Sequence, residues 1–426
     1  MQYSSPNNNK FPPLSSVYRL LARAEEHELY RSNCLNMIAS ENLISPLARR
    51  MLSADFGNRY SYGAQGEKLF PGTGIMDEIE GIAAALAANL FHAGYVNVQP
   101  VSGMVANMVV YEAVLKPGAT VLAASTRHGG HYSHHSGLLD RWNARVSYLP
   151  FDSRKYQLDI PACIKAIFRE KPQLVIVGGS EMLFPVPLQP LRQACDRIGA
   201  VLLYDAAHVA GLIAGGEFQQ PLAEGAHILT LSTNKSMAGP DHGLVATADP
   251  HRFRHAIERA VQKVFVSNNH MHHIAALAIT LAENKVFGRQ YAHQVLRNSR
   301  ALGEALDKKG ITVVAAENGW SKSHMVLVDT GEDATPKMRA LERANIITST
   351  CSLPKDRNGT ESGLRLGTAE LTRIGMREQE MEMVAECISS VLHDSHDTER
   401  TKKKVTSFRS SYRTISFCFS GIIDYN

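Results

Sequence analysis

Five polar segments of this chain stand directly after short apolar runs, where an α/β sheet would present them to a ligand. Asp205 ends VLLYD and is followed by AAH, Lys235 follows ILTLSTN, and Ser180 follows LVIVGG. The segment RHGGH, Arg127–His131, follows TVLAA. The loop PVSG, Pro100–Gly103, precedes a helical pattern, so its backbone N–H groups could bind an anionic group at a helix N-terminus. Lys235 could form an imine with an aldehyde cofactor. Asp205 could pair with a protonated pyridine nitrogen and keep the ring an electron sink. His131 could stack on the ring face, and Arg365 in SGLRLGT could clamp a substrate carboxylate through two parallel hydrogen bonds.

Each residue also has an ordinary structural reading. An Asp at a strand end is usually a turn former or N-cap, a lysine there a solvated charge, and a lone arginine half of a surface ion pair. His128, His131, His134 and His135, and again His270, His272 and His273, are potential metal ligands. No Cys or carboxylate stands at a recognised spacing beside them, so no metal is expected. Spacing alone supports an α/β enzyme with a site at strand ends.

The elements that must carry these residues follow from hydrophobic periodicity. Strands are predicted at Val96–Val98, Thr120–Ala123, Val146–Leu149, Leu174–Val177, Val201–Tyr204, Ile228–Leu231 and Leu244–Ala248, with helical patterns between them. Short apolar runs separated by helices imply a large, mostly parallel sheet covered on both faces. From about Tyr291 the pattern predicts a helix over His293–Lys309, strands in ITVVAA and HMVLVD, a helix capped by Thr335 with Pro336 in its first turn, and a last helix over Glu378–Leu392. The predicted organisation is an N-terminal arm and helix (1–30), a large domain (31–290), a smaller α+β domain (291–392) and a charged, Ser-rich tail or disordered extension (393–426).

The chain has 426 residues, 44% of them hydrophobic, and a net charge of only +4, which gives no reason to expect nucleic acid or an anionic membrane as partner. No apolar run is long enough to span a bilayer, and MQYSSPNNNKFPPLSS has no signal-peptide core. Six scattered cysteines without a C-x-x-C pair read as free thiols, so a cytoplasmic location is expected.

The same segments closely resemble the serine hydroxymethyltransferase family of fold-type I pyridoxal-phosphate enzymes. The matching stretches are IASEN (Ile38–Asn42), NRY (Asn58–Tyr60), NVQPVSG, ANMVVYEAVLKPG, HGGHYSH, YDAAHVAGLIAGGEF, STNKSMAGP and GLRLGTAELTRIGM, in the family's order from about Cys34 to Leu392. The resemblance implies that Lys235 is the imine-forming lysine, Asp205 the pyridine-nitrogen partner and His131 the stacking histidine. It places His208 and Ser180 near the cofactor hydroxyl, Ser102 and Gly103 in the phosphate loop, and Ser40 and Arg365 against an amino-acid substrate's carboxylate. It implies a homodimer with shared sites, into which Tyr60 reaches from the neighbouring chain.

Departures from the family pattern cluster on one side of the implied pocket. Tyr62 stands where the family has a glutamate, and Phe70 where it has a tyrosine. Met104 replaces a phosphate-loop hydroxyl, Asn234 replaces a histidine before the lysine, and Asp241 replaces an arginine. The glycine-rich stretch of the family is VSNNHMHH here, and the loop before Arg365 is shortened. Acid–base groups of the missing kind contribute roughly 10²–10⁴-fold each, which puts tetrahydrofolate use in doubt. The expected function is therefore folate-independent chemistry at the Cα of an amino acid: aldol-type cleavage or transfer, decarboxylation, or elimination. The alternatives are authentic tetrahydrofolate-dependent hydroxymethyl transfer and a non-catalytic binding relative, and joint retention of Lys235, Asp205, His131 and Arg365 argues against the latter.

Overall fold

The computed structural model describes residues 13–394 and 397–419. Most of the predicted flexible arm (1–12), two tail residues (395–396) and the last seven (420–426) lie outside the described residues. Seven strands form the main sheet: β1 (Tyr95–Asn97), β2 (Thr120–Ala123), β3 (Arg145–Tyr148), β4 (Leu174–Gly178), β5 (Val201–Asp205), β6 (Ile228–Ser232) and β7 (Gly243–Thr247). Their order is β1-β7-β6-β5-β4-β2-β3. β7 is antiparallel to both neighbours, and the other pairings are parallel. All seven predicted strands are therefore present within a residue or two.

Every residue of β5, β6 and β7 is buried, because helices cover both faces of the sheet. Leu202, Tyr204, Leu229 and Leu231 pack into the core on one face. Leu203, Ile228 and Val245 pack on the other. The parallel directions bring the loops after β1, β2, β4, β5 and β6 to one edge. β3 and β4 leave β2 on opposite sides, so the strand order reverses there, which is where open α/β sheets open a crevice.

A single helix, Met271–Lys308, joins the sheet domain to the C-terminal part. It starts 22 residues before the predicted His293, and the expected boundary at 290 falls inside it. Leu277 and Leu281 pack in the first core, Leu302 and Leu306 in a second, so one helix serves both. The second core holds an antiparallel sheet of β8 (Met325–Asp329), β9 (Ser349–Cys351) and β10 (Gly363–Gly367), ordered β8-β10-β9. The ITVVAA segment is not a full strand: only Val313 bridges Val328. Thr335 is the first helical residue and not the cap, which is Ala334; Asp333 Oδ1 accepts from the Thr335 N–H instead.

The tail departs most from expectation. Thr398–Arg409 is a helix packed on Glu378–His393. Val405 is fully buried, Phe408 and Tyr412 pack on the second core, and Arg409 Nε donates to Cys34 O at 3.2 Å. Phe417 then packs on Tyr291, ring centroids 5.3 Å apart. TERTKKK hides this helix because its apolar face consists of few residues, Thr401, Val405 and Phe408, at spacings of four and three.

Candidate active site

Asp205 closes β5, 1% exposed. Burial alone would raise its pKa, but its hydrogen bonds outweigh that and hold the carboxyl below the usual carboxylate range. His134 Nε2 and Asn107 Nδ2 both donate to Oδ2 at 2.9 Å, and the Ala207 N–H donates to Oδ1 at 2.9 Å. Asn107 is itself fixed by Thr230 Oγ1, which donates to Asn107 Oδ1 at 2.6 Å. The fold thus holds an ionised carboxylate at the sheet edge.

Lys235 lies in the turn three residues beyond β6. Burial pulls its amine down to about 8, and the nearby Arg365 charge adds to that pull while Asp205 opposes it. Asn42 Nδ2 donates to the Lys235 carbonyl at 3.0 Å and to Tyr291 Oη at 2.8 Å, tying the lysine turn to the long helix. His131 sits on the loop after β2, its Nδ1 2.7 Å from Ser133 Oγ. Burial lowers it to about 4, so the ring is neutral near pH 7. His208 is buried, held well below its ordinary value, and its Nδ1 has no hydrogen-bond partner among the described residues.

Ser102 caps the helix Gly103–Val114, its Oγ accepting from the Val105 N–H at 3.2 Å. A Cβ at Gly103 would stand 2.1 Å from Ser232 Oγ, so a side chain here would push the Ser232 hydroxyl away from the helix start. Met104 accepts a contact from Tyr132 Oη at 3.3 Å. Ser102, Gly103, Met104, Asn107, His131, Asp205, His208, Asn234, Lys235 and Asp241 line one cavity. Neither strand-end position nor motif marks His134 and Asn107 as partners of Asp205 in the sequence. Nothing in their spacing distinguishes them, because the contacts join segments 71 and 98 residues apart.

Arg365, on β10, reaches the same edge from the small sheet. Its Nη1 donates to Glu181 Oε1 at 2.9 Å and to the Ser180 carbonyl at 3.4 Å. Ser180 is one residue outside the cavity lining, which includes Gly179. Gly178 and Gly179 have φ of +92° and +140°, and a Cβ on either would strike the Asp205 carbonyl or the Gly129–His131 loop. Glu181 directly follows Ser180, but nothing in its residue type or spacing marks it in the sequence as a partner of Arg365.

Four expected site residues lie elsewhere in the single chain. Tyr60, Tyr62 and Phe70 line a separate recess with Gln262–Ser267. Tyr60 and Phe70 pack edge-on, 5.0 Å apart, and are 50% and 40% exposed. Tyr62 Oη donates to the Gln262 carbonyl at 2.8 Å. Ser40 lines a third groove together with Asn234, which also lines the cavity. Asn268 and Asn269 bond within the chain, to the Ser61 N–H and the Gly63 carbonyl. Among the described residues no group of His, Cys, Asp or Glu could hold a metal, and no described helix is long and apolar enough to cross a membrane.

The cavity suits a phosphorylated pyridine aldehyde: an amine for the aldehyde, an ionised carboxylate for a protonated ring nitrogen, an unpartnered buried imidazole nitrogen, and a helix N-terminus for phosphate. The fold and site define a fold-type I pyridoxal-phosphate enzyme. L-threonine transaldolase from Pseudomonas fluorescens, solved in its internal aldimine state, is similar at a TM-score of 0.91 and 25% identity, covering 97% of this chain and 96% of that one. The chain belongs to the serine hydroxymethyltransferase family, whose model matches residues 16–388. Proteins named serine hydroxymethyltransferase from Methanocella arvoryzae and Methanopyrus kandleri are 44% and 41% identical, covering 92% and 96% of this chain and 94% and 97% of theirs.

Proposed function

We propose that the protein cleaves or transfers the group on Cβ of a β-hydroxy-α-amino acid by aldol-type chemistry, without a requirement for tetrahydrofolate. The observation that carries this reading is the buried Asp205 carboxylate, held ionised beside Lys235, while no carboxylate occupies the position of Tyr62. Pyridoxal phosphate, when bound, supplies an electron sink conjugated with the substrate Cα.

The chain's own residues do the rest. The lowered pKa of Lys235 leaves a useful fraction of free amine near neutrality. Asp205 stabilises positive charge on a ring nitrogen, and His131 excludes water from one ring face. Gly103 and Met104 offer N–H groups at a helix start to phosphate. Arg365 orients the substrate carboxylate, which fixes which bond at Cα can break.

A second reading, tetrahydrofolate-dependent conversion of serine to glycine, is favoured by the 44% identity to a relative of that name over almost the whole chain. Product analysis of the reconstituted enzyme separates the two. Cleavage of a panel of β-hydroxy amino acids at a rate unaffected by tetrahydrofolate supports the first. Turnover of serine only when tetrahydrofolate is supplied establishes the second, and decarboxylated or eliminated products discard both. The proposal includes a cytoplasmic homodimer. Val17, Leu20, Leu21 and Leu29 on the N-terminal helix, with Leu69, Phe70, Ile75 and Ile82, are large exposed apolar side chains that a second copy would cover. A monomer by sedimentation at micromolar concentration contradicts it.

A further inference from the structure

Glu181 is placed with little freedom. The Ser180 and Glu181 N–H groups both donate to the Gly129 carbonyl, at 2.7 and 3.1 Å, just beyond the two left-handed glycines that end β4. This sets the Glu181 carboxylate against Arg365, with the two side chains only 8% and 13% exposed. The other charged or titratable groups around it are Lys235, Glu361, Tyr156 and Cys351, and Arg365 is its ion-pair partner among the described residues.

Arg365 is left half used. Nη1 is committed to Glu181 and the Ser180 carbonyl, while Nε is buried without a partner among the described residues. A guanidinium recognises a carboxylate best through two parallel N–H groups. The edge that Nε shares with the second terminal nitrogen is therefore what a ligand can use; burial pushes the neighbouring Glu181 carboxyl up to about 7, so a like charge stands fully beside that edge above this pH.

We propose that Glu181 is a specificity-determining residue that competes with the substrate carboxylate for Arg365, so that the site distinguishes only weakly between an amino acid and the same amine lacking its carboxylate. This rests on the carboxylate-binding role of Arg365 given above. Titration of the holoenzyme with glycine and with methylamine, read by the cofactor's visible absorbance, gives both dissociation constants. Glu181→Gln keeps the size and the hydrogen bond but removes the charge. It should tighten glycine on the order of tenfold and leave methylamine unchanged.

Glu181→Ala should shift the two constants in the same way, and serves where the amide variant folds poorly. Equal shifts for both ligands, no shift, or weaker glycine binding in both variants overturns the proposal; the last would make Glu181 a residue that positions Arg365. Arg365→Gln separates the two levels. If it leaves glycine affinity untouched, the carboxylate-binding reading of Arg365 fails and this inference with it. If it weakens glycine while Glu181→Gln changes nothing, the inference alone fails.

Discussion

Two regions of this molecule lie close in sequence logic and far apart in structural state. Around Lys235, three buried donors, one from a helix and two from loops, converge on the Asp205 carboxylate, and both of its oxygens are satisfied. Around Tyr60–Phe70, aromatic rings face solvent and each other, and the one phenol that is anchored, Tyr62, bonds to a backbone carbonyl. The hydrogen bonds of the first region close within one chain. The second is a recess whose rings are half exposed to solvent. The fixed charge is built into the sheet edge, whereas the aromatic side chains stand on a segment held by few buried contacts.

Removing the lysine tests the first region most severely. Lys235→Ala should abolish the cofactor's visible band and lower turnover by more than about a thousandfold, the scale of losing a covalent group. A variant that keeps the band would separate Lys235 from the cofactor. Asp205→Asn keeps the shape of the site and removes the charge. Its expected cost in kcat is about 10²–10⁴-fold, with protein stability as the control for folding.

The pH dependence of cofactor uptake comes next. The Lys235 pKa lies below the ordinary lysine value, so the free amine, which is the reactive form, accumulates as pH rises through about 8. Imine formation by the apoprotein should rise to a plateau above that pH, whereas an ordinary lysine keeps gaining rate beyond pH 10. The depressed value also means that the unfolded chain holds the proton more tightly. Apoprotein stability attributable to Lys235 should therefore increase with pH between about 8 and the unfolded lysine pKa. Comparing denaturation midpoints with Lys235→Met across that window checks the sign.

Tyr62→Phe probes the other region and should do least. It removes one hydrogen bond to the Gln262 carbonyl, costing about 1 kcal/mol of stability, and should change kcat by less than about threefold. A loss of a hundredfold in turnover with unchanged stability would place the Tyr62 hydroxyl in the chemistry and erase the contrast between the regions.

Much of this was legible in the residues. VLLYD, ILTLS and LVIVGG are buried strands because no charged residue interrupts them, and their polar successors had to emerge at the sheet edge. The tail helix was illegible because Val405 and its neighbours are too few to overcome a lysine-rich pattern, and only packing on Glu378–His393 reveals them. The long helix hid its own length for a related reason: its apolar face switches from one core to the other along the way.

The sequence by itself determined the strands, the lysine, the aspartate and the family pattern, since these depend on local periodicity and on residue identity at strand ends. Tertiary structure alone decided which side chains charge and anchor Asp205, that Glu181 is set on Arg365, and that Tyr62 turns to a backbone carbonyl. Those are contacts across large sequence separations, where hydrogen-bond geometry and desolvation choose the partner and spacing along the chain carries no information about it.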